Sequence, residues 1–150
     1  MNKVEQDVLV EAPIGIVWDV VTRPEHIGAW FLDSEVNLEA TAGGAGSISF
    51  VSREGTPVKL ALEVERAEAP HLLAFRWNGH PGQPQAVTHV EFQLSEEGSA
   101  TRLRVRESGF AELGLDETAA TAYREGHIDG WGFLVPAIAK RAAAVPTEVA

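Results

Sequence analysis

The sequence predicts an α+β domain in which a curved antiparallel β-sheet of about seven strands wraps around a long C-terminal α-helix. Three observations support this prediction: a first strand followed by two short helical segments, a run of about six segments that alternate apolar and polar residues, and a final helical segment from residue 116 to about 143. Short turns join the central strands, which favours antiparallel pairing with one buried face. The last helix is long enough to cover that face.

Local sequence patterns predict the first strand and the two short helices. Residues 3–11 alternate between apolar and polar side chains, as expected for a half-buried strand. Pro13 suits the first position of a helix. Thr22 and Glu25 have the spacing of a capping box, which predicts a second short helix with Pro24 in its first turn.

The central segments have the two-residue period of β-strands and are separated by glycine- and proline-rich turns. The glycine-rich stretch at residues 43–47, GGAGS, lacks the lysine of a phosphate-binding loop and joins two predicted strands, so it is interpreted as a hairpin turn. The predicted strands cover residues 34–40, 47–52, 58–69, 72–77, 86–94 and 101–110.

The final helix contains residues that usually interrupt helices. Asp116 is placed to cap its N-terminus. Gly126 and Gly130 lie four residues apart and are predicted to provide a small-residue side where the sheet comes close. Pro136 removes one helical hydrogen bond, which predicts a bend near residues 132–136.

Length and composition narrow the function classes. The chain has 150 residues, of which 45% are hydrophobic, and is expected to form one domain over residues 1–150 with a loose tail from about residue 145. A formal net charge of −10 argues against binding to nucleic acid or to an anionic membrane. The chain contains no cysteine, and it has neither a signal-peptide pattern nor an apolar run that could span a membrane. We therefore expect a cytoplasmic protein without membrane insertion.

The sequence does not indicate a metal site, a cofactor or a serine nucleophile. None of the five histidines forms an HxxxH or HExxH pair, and no serine lies in a GxSxG motif. His71 and His80 fall in predicted loops, and His89 is predicted to point outward from its strand. We expect no metal and no cofactor.

Two titratable residues fall on faces that the pattern predicts to be inward. Glu107 shares a strand face with Leu103 and Val105, so it lies either at the strand end in solvent or at the rim of a cavity, where it meets His127, Tyr123 or a ligand. His127 lies on the apolar stripe of the last helix. It is either a satisfied core group or a group that transfers protons.

Two motifs near the ends of the chain carry a resemblance to a known superfamily. APIGIVWDVVTRPEHIGAWF at residues 12–31 and HIDGWGFL at residues 127–134, with the strand run between them, resemble the START-like or Bet v 1-like superfamily of helix-grip folds. The resemblance is strongest to the branch of the C-terminal domain of the activator of Hsp90 ATPase. It implies a seven-stranded antiparallel sheet that grips the last helix, with a cavity between them that often takes apolar small molecules.

The resemblance leaves three functions open. The first is non-catalytic binding of a small hydrophobic molecule. The second is a polyketide cyclase-like enzyme with His127 and Glu107 as acid and base, and the third is a co-chaperone or regulatory interaction module. A homodimer and a protein partner are both compatible with these functions. The residues expected to line the ligand site are Trp30, Phe31, Phe50, Leu62, Phe75, Trp77, Glu107, Tyr123, His127 and Trp131.

Overall fold

The computed structural model describes residues 3–52, 54–80 and 83–146. Within these residues, seven strands form one antiparallel sheet. The strands are β1 (Lys3–Val10), β2 (Glu35–Leu38), β3 (Ala45–Val51), β4 (Pro57–Glu68), β5 (Leu72–Asn78), β6 (Thr88–Glu97) and β7 (Ala100–Ser108). Their order across the sheet is β1-β7-β6-β5-β4-β3-β2, so the last six strands follow one another as a meander and β1 adds to its β7 edge.

The helices occupy the predicted positions. Helices α1 (Ile14–Thr22) and α2 (Pro24–Trp30) follow β1, a short 3₁₀ turn (Phe110–Glu112) follows β7, and α3 (Glu117–Ala144) completes the chain. The long helix contacts β1, α1 and α2 and supplies part of the core. The predicted α+β helix-grip fold is therefore confirmed.

Two details at the helix ends differ from the predictions. The predicted capping box is wrong, because Thr22 is the last residue of α1 and its hydroxyl donates a hydrogen bond to the carbonyl of Trp18 at 2.7 Å. Pro13 is the residue before α1 rather than its first residue. At α3 the prediction is confirmed: the Asp116 carboxylate accepts a hydrogen bond from the amide of Ala119 at 2.8 Å.

The glycines of α3 do not have the predicted role. A Cβ atom built at Gly126 or Gly130 would meet no other atom within 4 Å, so neither glycine lies where the sheet comes close among the described residues. These positions face open space, and the prediction of a small-residue contact is wrong. The helix continues through Pro136 without interruption, so the bend near this residue stays a prediction.

The stretch GGAGS lies at a hairpin turn, as predicted: Gly43 and Gly44 belong to the turn, and residues 45–47 begin β3. It leads from β2 into β3, which pair in antiparallel register from Glu35 opposite Ser49 to Leu38 opposite Gly46. A Cβ atom at Gly44 would lie 2.0 Å from the carbonyl oxygen of Glu39. Only glycine fits at this position.

The core fills the space between the concave face of the sheet and the helices. Its largest fully buried side chains include Phe92, Leu60 and Leu103 from the sheet and Ile138 from α3. Residue 145 directly follows α3, and residues 147–150 of the predicted tail lie outside the described residues.

Candidate functional site

Glu107 lies near the end of β7, the second strand from one edge of the sheet, and points into the protein. It belongs to β7, between Val4 of β1 and Val90 of β6 in the strand register. The two-residue period of β7 puts its side chain on the same face as Val105. Glu107 is 0% exposed, so the interpretation of a solvent-exposed strand end is wrong.

Four side chains donate hydrogen bonds to this buried carboxylate. Oε1 accepts from His127 Nδ1 at 2.7 Å and from Trp131 Nε1 at 2.8 Å. Oε2 accepts from Trp77 Nε1 at 3.0 Å and from Thr88 Oγ1 at 2.5 Å. A carboxylate offers about four acceptor positions, so these four hydrogen bonds occupy all of them. Glu107 therefore holds β5, β6, β7 and α3 together at one point.

The hydrogen bonds decide the ionisation of Glu107. Burial by itself raises the pKa of the carboxyl group, because a buried charge loses its hydration. The hydrogen bond and positive charge of His127, together with the hydrogen bonds from Thr88 and Trp77, outweigh burial and lower the pKa below its ordinary value. Glu107 is thus a buried anion at neutral pH.

His127 is oriented by Glu107. It lies one helical turn before Trp131 on α3, and its side chain is 12% exposed. An ionised carboxylate only accepts hydrogen bonds, so Nδ1 of His127 carries the proton. In the neutral ring Nε2 is then unprotonated and can accept a proton or a hydrogen bond.

Two further polar rings pack against His127. The ring centroids of His80 and Tyr123 lie 4.6 Å and 4.5 Å from that of His127. Phe110 lies 5.4 Å from His127, and Trp77 lies 4.9 Å from His80. These residues join strand β5, the loop after it, the 3₁₀ turn and α3. We call His80, Tyr123 and His127 the polar cluster.

The polar cluster contains two buried atoms that have no hydrogen-bond partner among the described residues, namely Nε2 of His80 and Oη of Tyr123. Burial, together with the nearby charge of His127, lowers the pKa of His80 to about 4, although Glu107 opposes this effect. Burial also raises the pKa of Tyr123, and the charge of Glu107 raises it further. Both side chains are therefore neutral at pH 7.

An apolar cavity lies on the other side of Trp77 and Trp131. It has a volume of about 20 Å³, which is room for about one water molecule. Every residue that lines it is hydrophobic. The lining residues are Val21, Ile27, Trp30, Phe31, Leu38, Ile48, Leu62, Leu73, Phe75, Trp77, Phe92 and Trp131.

Nine of the ten predicted ligand-site residues fall into two groups. Six of them line the cavity: Trp30, Phe31, Leu62, Phe75, Trp77 and Trp131. Glu107, Tyr123 and His127 lie on the polar side, and Trp77 and Trp131 connect the two sides through their hydrogen bonds to Glu107. Phe50 does not line the cavity; it lies behind Phe31, with ring centroids 5.6 Å apart.

Sequence reasoning missed the position of His80 and the role of Thr88. The two-residue period of β6 puts Thr88 on the same face as Val90, but nothing in the sequence pattern indicates that it meets a carboxylate. His80 lies in an irregular loop, where periodicity does not indicate the direction of a side chain.

The three residues His80, Glu107 and His127 form a group whose possible ligand atoms lie within 4.8 Å of one another. Spacing in the sequence did not indicate this convergence. In this arrangement Glu107 already accepts four hydrogen bonds, so the two histidines are the members of the group that could bind a metal directly, and Glu107 would orient His127 from behind.

A known protein family matches most of the chain. The model of the family described as "Activator of Hsp90 ATPase homolog 1-like protein" matches residues 11–140. The chain belongs to this family. The match covers both end motifs and every strand from β2 to β7. No curated protein matches the sequence. No helix among the described residues is both long and apolar enough to cross a membrane.

Solved structures with the same fold cover nearly the whole chain. Protein MLL2253 from Mesorhizobium loti has a TM-score of 0.77 and 20% identity, with 97% of this chain and 99% of that chain covered. Protein CV1439 from Chromobacterium violaceum has a TM-score of 0.78 and 12% identity, with coverages of 97% and 100%. DynU16, a protein of the dynemicin biosynthetic locus, has a TM-score of 0.73 and 24% identity over 96% of this chain and 48% of that chain. These similarities establish the fold.

Proposed function

We propose that the protein binds a small apolar molecule, without catalysis, in the space between the sheet and α3. The observation that carries this proposal is the wholly apolar, aromatic-walled cavity at the centre of the fold. Protein cores are close-packed, an apolar cavity inside one stays dry, and a cavity that is large enough accepts apolar guests. Aromatic walls with a few polar groups nearby are typical of small-molecule sites.

The volume of about 20 Å³ means that a ligand enters only when the wall moves. Trp30 and Phe31 form one wall, and they lie at the end of α2, a helix of seven residues. The two residues after Phe31, Leu32 and Asp33, have positive φ angles of 57° and 51°, which non-glycine residues seldom adopt. We infer that this segment opens the cavity.

The family and the fold support the same class of function. Helix-grip folds host both binding proteins and enzymes, so the fold alone does not select one of them. DynU16, which shares this fold, is a protein of a biosynthetic locus, and a small-molecule ligand is compatible with that setting. The absence of a cysteine nucleophile and of a GxSxG serine favours binding over catalysis.

Native mass spectrometry of the purified protein tests the proposal. We expect an added mass under native conditions that is lost on denaturation, or a saturable adduct when an aromatic hydrocarbon such as naphthalene is supplied. Leu38→Phe is the matched control, because Leu38 lines the cavity and a larger side chain there fills it. The proposal is contradicted if the purified protein carries no added mass and also forms no adduct with the supplied hydrocarbon.

One observation favours the polyketide cyclase-like enzyme as a second candidate. The pair of His127 and Glu107 has the arrangement of a general base and its orienting carboxylate. In this candidate His127 Nε2 moves the proton, and Glu107 holds the ring, because its own oxygens are fully hydrogen-bonded.

Poly-β-ketone substrate analogues test the idea: His127→Ala should abolish turnover, whereas His89→Ala, at an exposed histidine, should not. Absence of turnover by the unmodified protein would rule it out for those substrates.

A further inference from the structure

Three side chains of the kinds that bind metal ions converge at the polar cluster. The possible ligand atoms of His80, Glu107 and His127 lie within 4.8 Å of one another. Zn–N distances are about 2.0–2.1 Å, so two nitrogens on one tetrahedral zinc ion lie roughly 3.3 Å apart. Small rotations of the two imidazole rings therefore suffice to bring both nitrogens onto one ion.

His80 has a buried nitrogen that no other part of the described chain satisfies. Its Nε2 has no hydrogen-bond partner among the described residues, and the same holds for Oη of Tyr123. Buried polar groups almost always have a partner, and each exception calls for an explanation. The loop itself is fixed, because the carbonyl of His80 accepts a hydrogen bond from the amide of Gln83 at 3.1 Å. A bound ion or molecule at Nε2 explains the unpaired nitrogen.

Glu107 prepares His127 to act as a metal ligand. Nδ1 of His127 donates to Oε1 of Glu107 at 2.7 Å, which leaves the lone pair of Nε2 free. A metal-bound histidine almost always donates its other ring N–H to a carboxylate, a backbone carbonyl or water, which fixes the tautomer and the orientation of the ring. The side chain of His127 is 12% exposed, so an ion can reach it from the solvent.

The charges around the cluster favour a cation. Glu107 is a buried anion, and none of its four hydrogen-bond donors is a lysine or an arginine. Its charge acts to raise the pKa of His80, so its field favours positive charge at this place. Burial nevertheless lowers the pKa of His80 to about 4 and keeps the ring neutral at pH 7. A histidine must be neutral to bind a metal ion.

The chemistry of the donors restricts the kind of ion. Imidazole nitrogens suit zinc and neighbouring transition metals, whereas magnesium and calcium prefer oxygen ligands. The oxygens of Glu107 already accept four hydrogen bonds, so water molecules would complete the coordination. The ring centroid of Tyr123 lies 4.5 Å from that of His127, which places its hydroxyl group beside such a water.

We propose that Nε2 of His80 and Nε2 of His127 bind a divalent transition metal ion of the zinc type. Glu107 orients His127, and the hydroxyl of Tyr123 forms a hydrogen bond with a metal-bound water. Both unpaired buried atoms then have a partner. A metal on His127 occupies the lone pair that the cyclase-like candidate uses, so the metal-bound protein cannot act in that way.

The site is separate from the apolar cavity. Trp77 lines the cavity on one side, and its ring lies 4.9 Å from His80 on the other. Trp131 also lines the cavity, one helical turn after His127. The inference is therefore independent of the proposed function, and binding of naphthalene should not require zinc. Loss of either kind of binding leaves the other unaffected.

Equilibrium dialysis against Zn²⁺ tests the inference, with untagged protein from which metal has been removed by a chelator. We expect saturable binding of one ion per chain, which a large excess of Mg²⁺ does not displace. A ligand that binds only the folded state stabilises it by mass action, so the unfolding temperature should rise with the concentration of Zn²⁺. Absence of saturable binding, or displacement by Mg²⁺, overturns the inference.

His80→Phe and His127→Phe are the matched variants, because each keeps a ring and removes one ligand. Loss of a group that only orients a ligand costs about 10- to 100-fold in metal affinity, so loss of the ligand itself should cost at least as much. His89→Ala, at an exposed histidine that pairs with Glu65, should bind zinc like the unmodified protein. Binding that persists in both Phe variants, or is lost in His89→Ala, places the ion elsewhere and overturns the inference.

NMR of the unmodified protein provides a test that does not depend on whether the variants fold. Nε1 of Trp131 donates to the same oxygen of Glu107 as His127 does. Its indole resonance and the ring resonances of both histidines should therefore shift as Zn²⁺ is added, while the indole resonance of Trp18 in α1 stays unchanged. Unchanged resonances of His80 and His127 at saturating Zn²⁺ contradict the inference.

Discussion

Trp77 of β5 and Trp131 of α3 stack with their ring centroids 5.8 Å apart and their planes at 22°. Each donates its indole N–H to a different oxygen of Glu107. The same two rings form part of the cavity wall. The buried charge and the apolar cavity are therefore parts of one structure, in which the carboxylate fixes the position of the aromatic wall.

Replacement of Glu107 by glutamine should destabilise the protein. Glutamine keeps the shape of the side chain, but its amide nitrogen faces two donors that have lost their acceptor. Each buried group without a partner costs about 1–3 kcal/mol, so we expect the free energy of unfolding to fall by at least about 2 kcal/mol. Urea denaturation measures this change.

Glu97→Gln is the control for that substitution. The carboxylate of Glu97 accepts hydrogen bonds from Arg102 on the protein surface, where ion pairs contribute little. We expect almost no change in its denaturation curve. Similar losses in both variants would show that the burial of Glu107 has no special importance.

His80 should make stability depend on pH between about 6.5 and 4. Its pKa is lowered from 6.5 to about 4, chiefly by burial, then by the charge of His127 and against the effect of Glu107. The unfolded chain therefore binds a proton at higher pH than the folded chain does. Neutral His80 contributes about 3 kcal/mol to the free energy of unfolding. This contribution is fully present above pH 6.5 and is lost as the pH falls towards 4.

His80→Phe should remove this dependence. Thermal unfolding of both proteins, measured in steps between pH 7.5 and 4, gives the two slopes. We expect the variant to lose less stability than the unmodified protein over this interval. Identical slopes would mean that His80 takes up its proton equally readily in the folded and unfolded states.

The glycines on the outer side of α3 should tolerate alanine. Glycine in a helix interior costs about 1 kcal/mol relative to alanine, and nothing lies within 4 Å of the new Cβ atoms at Gly126 and Gly130. We expect each single substitution to raise the unfolding temperature. Gly44→Ala is the opposite case, since its Cβ would lie 2.0 Å from a carbonyl oxygen, and it should be strongly destabilising. Destabilisation at Gly126 would indicate that another molecule packs there.

The cap of α3 makes a separate contribution. Asp116→Ala removes the hydrogen bond to the amide of Ala119, and loss of such a cap costs about 1 kcal/mol. Asp129→Ala changes an exposed position within the same helix and should not destabilise it. Chemical denaturation of the two variants distinguishes the cap from a general effect of charge. Equal stability of the two variants would mean that the cap contributes nothing.

The fold and the inward positions of several site residues could be predicted, because strands and helices have fixed periods. The two-residue period placed Glu107 inward, and the helical period placed His127 and Trp131 on one stripe. His80 could not be placed, because its loop has no period. The predicted contact between Gly126 and the sheet is wrong for a related reason. Helical spacing shows that two residues share a face of the helix, but it does not show which face the sheet covers.

In the proposed function, an apolar molecule enters the cavity beside Trp77 and Trp131. The most direct test follows the indole N–H resonances of the four tryptophans by ¹⁵N–¹H NMR during titration with naphthalene. Trp30, Trp77 and Trp131 line the cavity, and Trp18 does not. We predict saturable shifts of the first three resonances with that of Trp18 unchanged. No shift, or an equal shift of all four, would contradict the claim.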